Sequence, residues 1–260
     1  QAEIKKAKWI LGIFLFTHLM FIFWHPGYMW GIDFLSYYSG WEWIGIFMIG
    51  SVLFLGAYYT EQILPIIATF TAGIRATLLI LFVFISFIVF TVPTHLLGDG
   101  ALFLREVATL SDNQEWVRPN RSPIVYALIQ TLYHSPYISS LLAYQIYSWT
   151  SGILYLGIAL LFSRKIGRNL TEKSLLLCIL FSLGFVVQFF GYVENYALLF
   201  PAILTFLLLG LLTLEDKCHI FVFSAFTGVL FPIHFVTFAF IPSYCIVLYL
   251  SIIKSDAKKI

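Results

Sequence analysis

The sequence predicts an all-α, polytopic helical membrane protein of about eight transmembrane helices, with amphipathic helices in one long outer loop. Three observations predict it. The 260 residues are 60% hydrophobic and only 11% charged, with a mean hydropathy of +0.92. An average soluble domain is about a quarter charged, so this chain carries too little charge to coat a water-soluble globule. Several apolar runs approach the roughly 20 residues that cross a bilayer as a helix. Those runs are also continuous, unlike the segments of about ten residues alternating in polarity that build a membrane β-barrel.

The spans fall at residues 9–24, 41–60, 76–94, 137–162, 174–190, 197–214, 219–231 and 235–253, the last two reading equally as one broken hairpin. Lys5, Lys6 and Lys8 precede the first run as in a signal peptide. No small-residue cleavage site follows, so a retained span is expected. Residues 63–73 are apolar but short and interrupted by Pro65, which fits an interfacial helix. Residues 95–136 form the only long polar segment, and within it Leu102, Phe103, Leu104, Val107 and Leu110 recur at roughly helical spacing between charges. Residues 124–133 make a second amphipathic run, with Ser122 at the N-cap position and Pro123 at N1. Two helices lying on the membrane surface are expected there.

The chain is thus one transmembrane domain over residues 1–260, with two leading spans and the interfacial helix in 1–74 and a core in 75–253 that contains the outer loop 95–136. Starting at Gln1 and stopping after Ile260, it reads as a fragment of a longer protein.

Lys and Arg set the orientation. With the N-terminus cytoplasmic, 12 of the 15 basic residues fall inside, and only Arg105, Arg118 and Arg121 fall outside. The loop at Gly98-Asp99-Gly100, the turn Gly191-Tyr192-Val193-Glu194-Asn195-Tyr196 and the break at Phe231-Pro232-Ile233-His234 then share the outer side. The polar features in apolar surroundings gather on one face, and a shared outward site is the economical reading.

Several chemistries are excluded. A net charge of +2 argues against a nucleic-acid partner. Cys178, Cys218 and Cys245 are scattered through apolar segments without metal spacing, as packing residues are. There is no GxSxG, P-loop, HExxH or GxGxxG after a strand.

Asp99 stands where an apolar run ends, between two glycines that let a substrate or backbone approach closely. Such a carboxylate suits a general base towards an incoming hydroxyl; the competing role is N-cap of the helix that follows. Glu106, seven residues on, falls on the same helical face after two turns and makes a candidate partner as metal ligand or orienting group. Arg105, Arg118 and Arg121 present planar bidentate donors suited to a phosphate, though contact with anionic headgroups would use them equally well. Glu194 lies in a turn too short and aromatic to be explained by solubility, and an acid near the membrane core costs about 2.5–3.5 kcal/mol. Tyr192, Asn195 and Tyr196 beside it suit stacking and hydrogen bonding on a sugar-like ligand, and an interfacial aromatic belt suits the tyrosines too. His234, after Pro232, either contacts a phosphate or acceptor or bonds a carbonyl freed by the proline. His95 and His134 are weaker candidates, His18 reads as a packing residue, and Asp33 and Glu42 as interfacial charges.

Taken together, Gly98-Asp99-Gly100 followed by Ala-Leu-Phe-Leu-Arg105-Glu106, the segment Arg121-Ser-Pro-Ile-Val-Tyr126, the Gly191–Tyr196 turn and the Pro232-Ile-His234-Phe break resemble the GT-C superfamily of integral-membrane glycosyltransferases, in particular bacterial glycosyltransferase-like membrane proteins. The resemblance covers roughly residues 75–253. It implies transfer of a sugar from a polyprenyl-phosphate donor to a glycan, lipid or protein acceptor on the outer side of a bacterial inner membrane. It implies Asp99 as base or metal-associated acid, nearby arginines on the lipid phosphate, and no cofactor beyond an optional divalent metal. The rivals are a transporter or flippase and a non-catalytic membrane assembly subunit. Transporters place polar groups near the midplane on broken helices, often in repeated halves; here the ionisable residues gather at one surface and no repeat is visible.

Overall fold

A computed structural model describes residues 72–92, 99–112 and 122–257, with isolated helical positions between residues 9 and 20. The span expected at 41–60, most of the interfacial helix at 63–73, and His18, Asp33, Glu42 and His95 lie outside the described residues.

Among the described residues the protein is all-helical, without strands. Eight α-helices follow in order: α1 Ala72–Val89, α2 Gly100–Asp112, α3 Pro123–Tyr133, α4 Ser140–Ile166, α5 Leu170–Phe181, α6 Leu199–Leu214, α7 Ile220–Leu230 and α8 Ile241–Ala257. Two 3-10 segments, Gly184–Phe189 and Phe235–Phe240, interrupt them. Among the described residues two helical stretches are long and apolar enough to cross a membrane: Ser140–Ile166, of 27 residues, and Phe235–Lys254, of 20. At 1.5 Å per residue these reach about 40 and about 30 Å. Phe238, Ile246, Tyr249 and Ile252 on the second are exposed apolar side chains.

The chain divides into two compact units. The first comprises Gln1–Gly100 and Ser148–Tyr192. Its core is aromatic. The Phe87 ring of α1 meets Phe190 edge-on at 5.0 Å and Phe189 at 6.0 Å, while Val92 N–H donates to the Phe190 carbonyl at 2.8 Å. Tyr155 lies 5.1 Å from Phe189, packs against Phe181 and Phe185, and donates its hydroxyl to the Leu180 carbonyl. Asn169 caps α5 by accepting the Glu172 N–H at 2.8 Å, and the Glu172 carboxylate accepts the Arg168 N–H in return. This is a reciprocal cap of two otherwise orphaned donors.

The continuous span expected at 174–190 is not formed. The α-helix ends at Phe181, where the Ser182 hydroxyl bonds back to the Cys178 carbonyl, and a 3-10 segment begins at Gly184. The Ser148 hydroxyl then ties this segment down. It donates to the Gln188 carbonyl and accepts the Gly191 N–H at 2.9 Å, with Gly191 at φ 72°. Ser182 and Gly184 mark the break, but in a predominantly apolar run they carry little signal of helix continuity.

The second unit comprises Ala101–Tyr147 and Val193–Ile260. The two amphipathic loop helices expected from the sequence are present as α2 and α3. Ser122 occupies the N-cap with Pro123 next, yet its hydroxyl makes no capping bond. The donor it would have satisfied is met from elsewhere: Ile124 N–H donates to the Pro232 carbonyl at 3.2 Å. Helices α6, α7 and α8 pack through Phe206, which lies 5.0 Å from Phe223 and 5.3 Å from Phe240. Tyr244 on α8 donates to Ser224 on α7 at 2.9 Å. Lys254 closes the far end, donating to the Leu214 carbonyl at 2.8 Å and pairing with Asp216 at 2.9 Å.

Candidate functional site

The second unit gathers a buried polar cluster out of four segments. Helix α2 contributes Glu106, which is half-buried beside the wholly buried Val107. Helix α3 contributes Tyr126, whose hydroxyl donates to Oε2 of Glu106 at 3.0 Å. The first two turns of α4 contribute Tyr144 and Tyr147, one turn apart and both buried. The segment before α6 contributes Glu194 and Asn195, also buried.

Asn195 is the hub. Its side-chain carbonyl accepts the Tyr144 hydroxyl at 3.3 Å, and its backbone carbonyl accepts the Tyr147 hydroxyl at 3.0 Å. Its backbone N–H donates to Oε1 of Glu194 at 3.1 Å. Phe103 walls the cluster, edge-on to Tyr126 at 6.2 Å and stacked on Tyr144 at 6.4 Å.

Burial holds the Tyr126 phenol well above the ordinary tyrosine range. The nearby Asn195 amide opposes this, while the Glu106 and Glu194 charges reinforce it. The phenol therefore stays a proton donor at any physiological pH. Buried polar groups so arranged rigidify a site because every missing partner carries a desolvation cost.

The remaining expected residues are distributed as follows. Tyr196 and His234 stand together, with ring centroids 4.6 Å apart. His234 is buried, and its Nδ1 accepts the Val236 N–H at 3.2 Å, so the ring caps the 3-10 segment that follows. Arg105 is exposed on α2. Asp99 is exposed in the turn one residue before α2 and belongs to the first unit, as does the buried Tyr192. Arg118 and Arg121 lie outside the described residues. No group of three or more His, Cys, Asp and Glu placed to hold a metal ion occurs among the described residues.

Tyr126, Tyr144 and Tyr147 were not singled out from the sequence as site residues. A signal was present: residues 144, 147, 148 and 151 are polar at one-face helical spacing inside an apolar run, and all four are buried.

Among the described residues the fold and site define an all-helical protein with two helices long and apolar enough to cross a membrane and a buried acid–amide–phenol cluster in one of its two units. The chain matches no known protein family, no curated protein and no solved structure.

Proposed function

We propose that the chain is an integral-membrane glycosyltransferase that moves a sugar from a polyprenyl-phosphate donor to an acceptor on the outer side of the membrane. The observation that carries this reading is the convergence of Glu106, Glu194 and Asn195 with three tyrosine hydroxyls in the interior of one unit. Carboxylates, a carboxamide and aromatic rings are the groups that bind sugar hydroxyls and stack on sugar faces. A merely structural helix bundle gains little from burying them, since each needs a partner to offset its desolvation.

In this reading the N-terminus is cytoplasmic and the site faces outward, as in a bacterial inner membrane. Asp99, exposed at the start of α2, takes the proton of the acceptor hydroxyl as that oxygen attacks the anomeric carbon and the donor's C–O bond to phosphate breaks. The departing phosphate leaves with the bonding pair and is met by Arg105, Arg118 and Arg121. Glu106, Glu194 and Asn195 orient the sugar, with Tyr196 and His234 bordering it.

The test is incubation of membranes holding the full chain with labelled polyprenyl-phosphate sugars. Asp99→Asn is expected to lower transfer by roughly 10²–10⁴-fold, the range of general-base catalysis, with expression intact. Full activity in Asp99→Asn would remove the base assignment. Absence of any transfer together with unimpaired donor flipping would favour a flippase, and absence of both an assembly subunit.

A further inference from the structure

We propose that Tyr126 is a positioning residue that clamps one oxygen of the Glu106 carboxylate and so presents the other to a hydroxyl of a polyol ligand, a sugar in the reading of the preceding subsection. The clamp is direct: the Tyr126 hydroxyl donates to Oε2 of Glu106 at 3.0 Å. The phenol is itself braced. Tyr126 is wholly buried, and its ring stands edge-on at 6.2 Å to Phe103, one turn before Glu106 on the same helix. Its backbone is set in the first turn of α3, where its own N–H donates to the Ser122 carbonyl at 3.1 Å and the Ile124 N–H to the Pro232 carbonyl.

Glu106 differs from its partner in being half-buried, and its Oε1 accepts no hydrogen bond among the described residues. A glutamate left loose on a helix face samples several rotamers and loses that freedom when a ligand orders it. Tyr126 removes the loss in advance, which is the general advantage of preorganisation. Both oxygens of a carboxylate accept, so one clamped and one open oxygen make a fixed acceptor for a ligand O–H. The competing role is a staple joining α2 to α3, for which the open oxygen has no use. Presentation to a sugar rests on the transferase reading; the clamp and the open oxygen do not.

Two readouts test this, and the first needs no transfer. Glu106 in the full, detergent-solubilised chain is labelled with a carbodiimide and an amine and quantified by mass spectrometry. Labelling is compared with and without methyl glycosides of hexoses and pentoses and, separately, a polyprenyl-phosphate sugar. The wild-type carboxylate is expected to label, and at least one of these hydroxyl-bearing probes to slow it. Tyr126→Phe, isosteric but without the hydroxyl, needs about 10- to 100-fold more of that probe for the same protection, the loss expected for a hydrogen bond to a charged group. Should Tyr126→Phe not fold, Glu106→Asp carries the same comparison, its side chain one methylene too short to reach phenol and ligand together. An unlabelled wild-type Glu106, no protection by any probe, or equal protection in the variants would overturn the proposal.

The second readout is transfer kinetics. In Glu106→Gln the amide oxygen still accepts the Tyr126 proton, so a staple between α2 and α3 survives, but the ligand meets N–H₂ in place of Oε1. KM for the sugar donor is expected to rise about 10- to 100-fold with little change in kcat, the signature of lost ground-state binding, while thermal unfolding matches wild type. Wild-type KM in Glu106→Gln would overturn the proposal and leave the transferase reading standing. Probe-dependent protection of Glu106 in a protein that transfers no sugar would retain the proposal and discard that reading.

Discussion

The hydroxyl of Tyr147 bridges Asn195 to the helix that follows it, donating to the Asn195 carbonyl at 3.0 Å and accepting the Leu198 N–H at 2.9 Å. One phenol thereby satisfies an acceptor and a donor at the entrance to α6, where no side-chain cap is present. Tyr147→Phe keeps the ring and leaves both backbone groups without this partner. Each orphaned group costs about 1–3 kcal/mol, and a loss of about 3 kcal/mol is expected in detergent-solubilised unfolding. A change below about 0.5 kcal/mol would contradict the bridge.

Ser122→Ala is expected to be close to neutral. Loss of a serine N-cap ordinarily costs about 1 kcal/mol. Here the hydroxyl makes no capping bond and is buried without a partner among the described residues, while the Pro232 carbonyl takes the Ile124 N–H. Thermal unfolding of the alanine variant should match wild type within experimental scatter or rise slightly.

Two glycines of α4 should respond in opposite directions to alanine. A Cβ at Gly152 would stand 2.5 Å from Phe87 Cε2 and 2.7 Å from Phe189 Cβ. The latter sits on a backbone-fixed carbon that cannot yield, so a loss of about 1–3 kcal/mol or more follows from overpacking. A Cβ at Gly157 meets nothing within 4 Å. Gly157→Ala should therefore gain up to about 1 kcal/mol from helix propensity alone. Paired urea titrations of the two variants read the contrast directly.

The raised Tyr126 phenol gives a pH dependence. Its folded value lies above the unfolded 10.0, so its contribution to stability is complete below pH 10 and is lost as pH rises above that. Tyr126→Phe removes the ionisable group, and the variant's stability should fall less steeply than wild type above pH 10. Alkaline unfolding monitored by circular dichroism measures the two slopes, and parallel curves would contradict the burial described.

The helical class and the two helices of the polar loop were readable from periodicity and from Pro123 at a helix start. The break after Phe181 was not, because Ser182 and Gly184 alone do not end an otherwise apolar run and the tie at Ser148 is remote in sequence. Glu194, Asn195 and His234 stood out as polar residues among aromatics, and the structure places each of them buried. Their partners did not stand out. A tyrosine in an apolar helix reads as packing or as an interfacial ring, and only its hydroxyl's destination distinguishes a site. Asp99 and Glu106 differ in the same way: both are acids beside α2, but only Glu106 has a recorded phenolic partner, Tyr126.

The bond from Ile124 N–H to the Pro232 carbonyl joins main chain to main chain. Its chemistry is therefore indifferent to which side chains occupy the two positions, since every residue supplies a carbonyl at 232 and all but proline supply an N–H at 124. A saturation scan of position 124 should leave this link untouched in every substitution except Ile124→Pro. The join between the polar loop and the break before α8 is thus written into the backbone, where sequence drift has almost nothing to act on.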